Sequence, residues 1–153
     1  MIYLDSSALM KLVREEAETE ALRDWLVSQP EVPVITSELG RVEVLRAASR
    51  AGSDALIEAR AVIADVDLVP LNRAVQDIAC ELGDSALRTH DALHVASAML
   101  LGDELTALAA YDDRLLTAAR AAGLPTITPR PAKPMDERES DSPSKASMRP
   151  AQP

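Results

Sequence analysis

The stretch Met1 to Leu9, MIYLDSSAL, constrains the fold of this chain more than any other. Ile2, Tyr3 and Leu4 favour a buried strand, and Ala8, Leu9, Leu12 and Val13 then fall at helical spacing. Asp5 is therefore expected where a central strand ends and a helix begins. In open α/β sheets ligands bind outside the carboxyl ends of the strands, so a carboxylate at that point is a candidate for chemistry. Taken alone it reads as a helix cap, because Asp or Ser ahead of an apolar helix satisfies free backbone N–H groups. Its role depends on the partners the rest of the chain supplies.

The remaining segments repeat the strand-then-helix pattern. Glu18 to Ser28 brings Ala21, Leu22, Trp25 and Leu26 onto one face of an amphipathic helix stopped by Pro30. Pro33 to Thr36 is a short β-branched strand, and Ser37 caps a helix from Glu38 to Ala51 that ends at Gly52. Asp54 to Ala64 is helical, and Val66 to Leu71 is a third strand. Asn72 caps a helix whose Val75, Ile78, Ala79 and Leu82 form a stripe. Thr89 is the expected cap of a helix from Asp91 to Leu101, and Leu105 to Ala110 is a fourth strand. Asp113 to Ala122 is a helix, and Thr126 to Thr128 is an edge strand beside Pro125 and Pro129. Such alternation implies an α/β fold with a parallel sheet and helices on both faces.

Length and composition bound the rest. At 153 residues the chain holds one domain with a real core. From about residue 131 it turns to Pro, Ser and charged residues, which cannot bury enough surface to offset chain entropy. The expected organisation is a folded domain over 1–130 and a disordered tail over 131–153. With no Phe, one Trp and two Tyr, a base-stacking platform for single strands is not expected. The net charge of −9 argues against broad phosphate neutralisation. It leaves room for an enzyme that meets a phosphodiester through metal ions. Cys80 alone builds neither a disulfide nor a Cys-based zinc site and reads as a small buried hydrophobe, compatible with a reducing cytoplasm. Neither a signal peptide nor a membrane span is expected.

Four acids strain a purely structural account. Asp5 ends the first strand. Glu43 lies in a helix where Leu39, Val42, Val44, Leu45, Ala47 and Ala48 leave little polar circumference, so it needs a partner: Arg46, Arg41 or Arg50, or a metal. Asp91 opens the most apolar helix, where Asp91, His94 and Ser97 form the only polar stripe. The helix dipole suffices to explain Asp91. His94 reads as a buried imidazole with one hydrogen bond, and His90 as a loop residue. Asp112 follows the fourth strand, and capping explains one of Asp112 and Asp113 but not both. In a parallel α/β sheet these acids can converge at one edge. Clustered carboxylates would have raised pKa values unless a cation were bound, and oxygen-only ligands favour magnesium or manganese over zinc.

Four segments carry a family resemblance: YLDSSALMKLVREE, TSELGRVEVLRAASR, LRTHDALHVASAMLLG and YDDRLLTAARAAGLPTITP. Over Met1 to Pro129 the chain resembles the PIN-domain ribonucleases, specifically the VapC-type toxins of bacterial toxin-antitoxin pairs. The resemblance implies a single three-layer domain with a mainly parallel sheet of four or five strands. Asp5, Glu43, Asp91 and Asp112 match the family's acidic quartet, which implies catalytic and metal-binding roles. Asp113 could share the role of Asp112, and Ser7 matches a small polar position that supports the site. Ala110 departs from the pattern, since many relatives carry Thr or Ser there. The implied activity is a cytoplasmic endoribonuclease using Mg2+ or Mn2+ to activate water against tRNA, rRNA or mRNA. A cognate antitoxin with a basic segment would inhibit it, in a homodimer or a hetero-oligomer. RNA specificity would lie in loop shape and in basic residues such as Lys11, Arg14, Arg41, Arg46 and Arg114. The rival readings are a phosphatase of the haloacid-dehalogenase type and a non-catalytic acidic module for a basic peptide. The phosphatase would want a second Asp where Ser7 stands.

Overall fold

A computed structural model of the chain describes residues 1–83 and 87–132. The expected tail lies outside the described residues apart from Pro131 and Ala132. Five strands form one sheet: β1 (Ile2–Leu4), β2 (Val34–Ser37), β3 (Asp67–Val69), β4 (Ala107–Ala109) and β5 (Thr126–Ile127). The helices are α1 (Ser6–Val13), α2 (Thr19–Val27), α3 (Glu38–Ala51), α4 (Ser53–Ala64), α5 (Arg73–Glu81), α6 (Thr89–Met99) and α7 (Asp113–Ala121). The strand order is β3-β2-β1-β4-β5 and every pairing is parallel. Consecutive strands therefore run outward from β1 in one direction, and the chain then crosses back to the other side. The point of reversal lies between β1 and β4, where an open sheet leaves a crevice at its carboxyl edge.

Alternation along β1 divides the core in two. Ile2 and Leu4 join Leu9, Leu22, Val44, Ala48, Ala59 and Ile63 on the α1–α4 side. Tyr3 points the other way, into Val75, Val95, Leu108, Leu115 and Leu116 of the α5–α7 side. The expected three-layer α/β arrangement is thus present. Among the described residues no helix is long and apolar enough to cross a membrane.

Local chemistry set many boundaries as expected. Ser37 accepts from Gly40 N–H and Asn72 from Val75 N–H, so α3 and α5 start at their capping residues. Gly52, at φ 128°, both ends α3 and opens α4, a backbone conformation that side-chain-bearing residues rarely adopt.

Several expectations fail for tertiary reasons. The third strand shrinks to Asp67–Val69 and lies at the sheet edge, with Asp67 and Leu68 exposed. Thr89 is the first helical residue, with Arg88 before it and no side-chain cap bond. His90 consequently sits in the first turn of α6 rather than in a loop. Cys80 is exposed on the outer side of α5. Helix α3 is not largely buried: Gly40, Val44 and Ala48 are its buried residues and Val42 is 46% exposed. Its apolar composition overstates its burial because only one narrow stripe, Gly40, Val44 and Ala48, faces the core.

Two substitutions test this packing. Leu108→Ala removes a fully buried side chain from β4 and should cost about 2–5 kcal/mol in urea unfolding. Ile57→Ala, at a position 66% exposed, should stay within about 0.5 kcal/mol of wild type.

Candidate active site

Asp5 occupies the reversal point of the sheet. Its backbone N–H donates to Ala109 O, and its side chain caps α1 by accepting from Ala8 N–H at 2.8 Å. The Ser7 hydroxyl reaches both carboxylate oxygens, at 2.7 and 2.9 Å, and accepts from Tyr111 N–H at 2.8 Å. Ser7 thereby ties the end of β1 to the chain leaving β4. Asp5 is only 2% exposed. Burial pushes its carboxyl above the ordinary value, against the lowering effects of His94, the Ala8 N–H and Ser7. Asp5 is both the cap and a desolvated carboxylate.

Glu43 comes from α3 with its side chain 28% exposed. Its partner is neither Arg41, Arg46 nor Arg50 but His94, whose Nε2 lies 2.9 Å from Glu43 Oε2. Burial raises the Glu43 carboxyl, and the bond and charge of His94, with the nearby Ser6 side chain, more than offset this and leave it below its ordinary value. His94 itself is buried and uses both ring nitrogens, since Nδ1 meets the Tyr3 hydroxyl at 2.7 Å. One bond was expected from the sequence and two are present.

Asp91 lies one turn before His94 on α6 and is 4% exposed. Its Oδ2 is buried with no hydrogen-bond partner among the described residues, and its Oδ1 stands 3.7 Å from His90 Nε2. Leaving a buried acceptor unsatisfied costs about 1–3 kcal/mol, and more when it is charged. Asp112 is half-buried and caps α7, its Oδ1 accepting from Arg114 N–H at 2.8 Å and Leu115 N–H at 3.2 Å. Asp113 is exposed in the first turn of α7.

Two links run from the acids to neighbouring elements. His94 connects Glu43 to α6, while Ser7 connects Asp5 to the backbone of Tyr111, the residue before Asp112. The described residues contain no ready-made cluster of three or more His, Cys, Asp or Glu side chains that would enclose an ion. Magnesium does not require one, because it keeps several waters and takes one or two carboxylates directly. The orphaned Asp91 oxygen and the desolvated Asp5 fit such an ion: all-oxygen, incompletely coordinated, and lacking a protein cation in direct contact.

Lys11, expected among the RNA-contacting residues, is only 8% exposed. It bonds Glu16 and Glu18 and sits 4.5 Å over the Tyr111 ring. Arg14, Arg41, Arg46 and Arg114 are exposed. Sequence reasoning also passed over Thr36, which is fully buried and donates to Leu4 O at 2.7 Å. The Tyr3 hydroxyl was a readable signal, because a phenol on a buried strand must find a partner.

The comparisons agree with this architecture. The PIN domain family profile matches residues 2–121. Ribonuclease VapC47 of Mycobacterium tuberculosis is 42% identical over 132 residues, spanning 84% of this chain and 97% of the relative. Ribonuclease VapC35 of the same species is 40% identical over 135 residues, covering 87% and 100%. The crystal structure of Mycobacterium tuberculosis VapC20, described as a sarcin-ricin loop cleaving toxin, superimposes with a TM-score of 0.67. It is 21% identical and covers 86% of this chain and all of that one, a likeness of fold. The chain belongs to the PIN-domain family, in its VapC group.

The desolvation of Asp5 has a measurable consequence. A carboxyl whose folded-state value lies above its ordinary 3.8 binds more protons folded than unfolded over that interval. Its share of stability is therefore present at low pH and is lost as pH rises from that value toward the folded one. Asp5→Asn keeps an oxygen for the Ala8 N–H and removes the charge. In EDTA, its unfolding free energy at neutral pH should equal or exceed that of wild type, with a flatter pH dependence by urea titration.

Proposed function

We propose that this protein is an endoribonuclease toxin that uses Mg2+ or Mn2+, cleaves cellular RNA in the cytoplasm and is neutralised by a cognate antitoxin. The observation that carries the metal reading is the buried Asp91 Oδ2, unpartnered among the described residues, together with a second buried carboxylate, Asp5, at the end of the central strand. The nuclease class follows from membership of a family whose relatives at 40–42% identity are named ribonucleases.

Asp5, Glu43 and Asp91 would hold the ion directly or through water. Asp112, with Asp113 as its exposed neighbour, would hold a second ion or orient water. The ion supplies Lewis acidity toward both the attacking water and the scissile phosphate. Ser7 fixes the Asp5 carboxylate through both oxygens and so limits its rotation. Burial of Asp5 and Asp91 keeps their charges in a medium where attraction to a cation is stronger than in water. The exposed Arg14, Arg41, Arg46 and Arg114 are the basic side chains available to RNA phosphates.

The charge of −9 sets the character of the inhibitor. A segment that seats on an acidic edge should be basic, and an Arg placed among the carboxylates would replace the ion with a fixed cation.

Purified wild type should cut total RNA in Mg2+, stop in EDTA and resume when Mn2+ is added. Asp5→Ala, Glu43→Ala and Asp91→Ala should each lower the cleavage rate by about 10²-fold or more, with a smaller loss for Asp112→Ala. The same three variants should relieve growth arrest on induced expression. Cleavage that survives Asp5→Ala or excess EDTA would refute the metal-nuclease reading.

A further inference from the structure

A buried chain of three side chains runs from the central strand to the acidic edge. The Tyr3 hydroxyl lies 2.7 Å from His94 Nδ1, and His94 Nε2 lies 2.9 Å from Glu43 Oε2. We propose that Tyr3 and His94 are positioning residues: Tyr3 donates to His94 Nδ1, and the His94 Nε2–H donates to Glu43, holding its carboxylate at the acidic edge. The inference rests on the reading of Glu43 as a ligand of a divalent ion, and it gives His94 a role behind that ligand.

The bonding roles follow from chemistry. An ionised carboxylate only accepts, so the ring nitrogen facing it must carry the proton. That nitrogen then has no lone pair for a metal. The opposite nitrogen faces a phenol that burial keeps protonated, since Tyr3 is pushed far above its ordinary value. In a neutral ring with its proton on Nε2, Nδ1 is bare and can only accept, so the Tyr3 hydroxyl 2.7 Å away is the donor. Metal-site carboxylates and imidazoles are commonly oriented in this way by groups behind them.

The anchor lies in the central strand of the sheet. Tyr3 is fully buried in the middle of β1 and is paired in register with Ile35 on one side and Leu108 on the other. Its ring meets the His94 ring edge-on, with an interplanar angle of 78°. Helix α3 is shaped to receive the imidazole: a Cβ at Gly40, one turn before Glu43, would stand 3.3 Å from His94 Cε1 and would collide with Thr36 Oγ1. Thr36 cannot give way freely, because it is bonded to Leu4 O. Three elements thus converge on one carboxylate. Without them Glu43, partly exposed on three rotatable bonds, would sample several rotamers.

The chain holds only two histidines, and His90 is exposed, so ring-nitrogen resonances are assignable directly. In metal-free, 15N-histidine-labelled wild type, His94 should show a protonated Nε2 and a hydrogen-bonded, unprotonated Nδ1. Tyr3→Phe should move Nδ1 toward the value of an unbonded ring nitrogen. Calorimetric titration with Mn2+ should show binding weakened about 10- to 100-fold in His94→Leu and by less in Tyr3→Phe. His94→Gln, whose amide N–H can stand in for Nε2–H, should recover part of the loss. A proton on Nδ1 with a bare Nε2 would overturn the proposal, as would unchanged Mn2+ affinity in a folded His94→Leu or in Tyr3→Phe. Should wild type take up no Mn2+, the metal reading of the site fails separately, and the ring-nitrogen pattern still decides the relay.

Discussion

A carboxylate buried at the end of the central strand is the constraint on which the rest of this structure depends. Asp5 follows β1 directly, where the sheet reverses direction, and is 2% exposed. Desolvating an anion is costly unless hydrogen bonds or a cation compensate. The chain supplies part of the compensation through Ala8 N–H and the Ser7 hydroxyl. It supplies no Lys or Arg in contact with the carboxylate among the described residues. The position is tolerated in the fold because Oδ1 of the same carboxylate caps α1, and the proposed ion would balance the charge that remains.

The neighbouring acids are held by the same economy of means, each by a bond that also serves the fold. Asp112 caps α7, and Glu43 closes a contact between α3 and α6 through His94. Asp91 is the exception. Among the described residues its Oδ2 has no hydrogen-bond partner, and it is this atom on which the metal reading rests. Such arrangements trade stability for activity, which is why replacing a site acid by its amide is expected to leave the fold intact.

Much of the fold was legible because its signals are local. Helix α3 runs from Glu38 to Ala51 as its Ser37 cap and Gly52 terminator dictate, and α5 follows Asn72 as expected. The parallel sheet follows from strands alternating with helices. What was not legible depends on distant contacts. Glu43 was weighed against arginines two to seven residues away, yet its partner is 51 residues off on α6. His94 was given one bond because nothing nearby in sequence marks Tyr3 as the second. Cys80 looked buried because its helix has an apolar stripe, although the cysteine itself lies off that stripe. Lys11 looked like a surface base, but its ammonium is claimed by Glu16, Glu18 and the Tyr111 ring. Individual site residues can be picked from residue type and spacing, whereas the bonds that orient them cannot.

The central claim is that the buried carboxylates at the reversal point of the sheet are completed by a divalent cation. The most direct measurement is an anomalous difference map from crystals grown in Mn2+, with data collected on both sides of the manganese edge. The account predicts a peak bonded to oxygens of Asp5 and Asp91, with Glu43 still joined to His94. A well-ordered map with both carboxylates in place and no anomalous peak between them, or with manganese bound to the His94 ring, would contradict it.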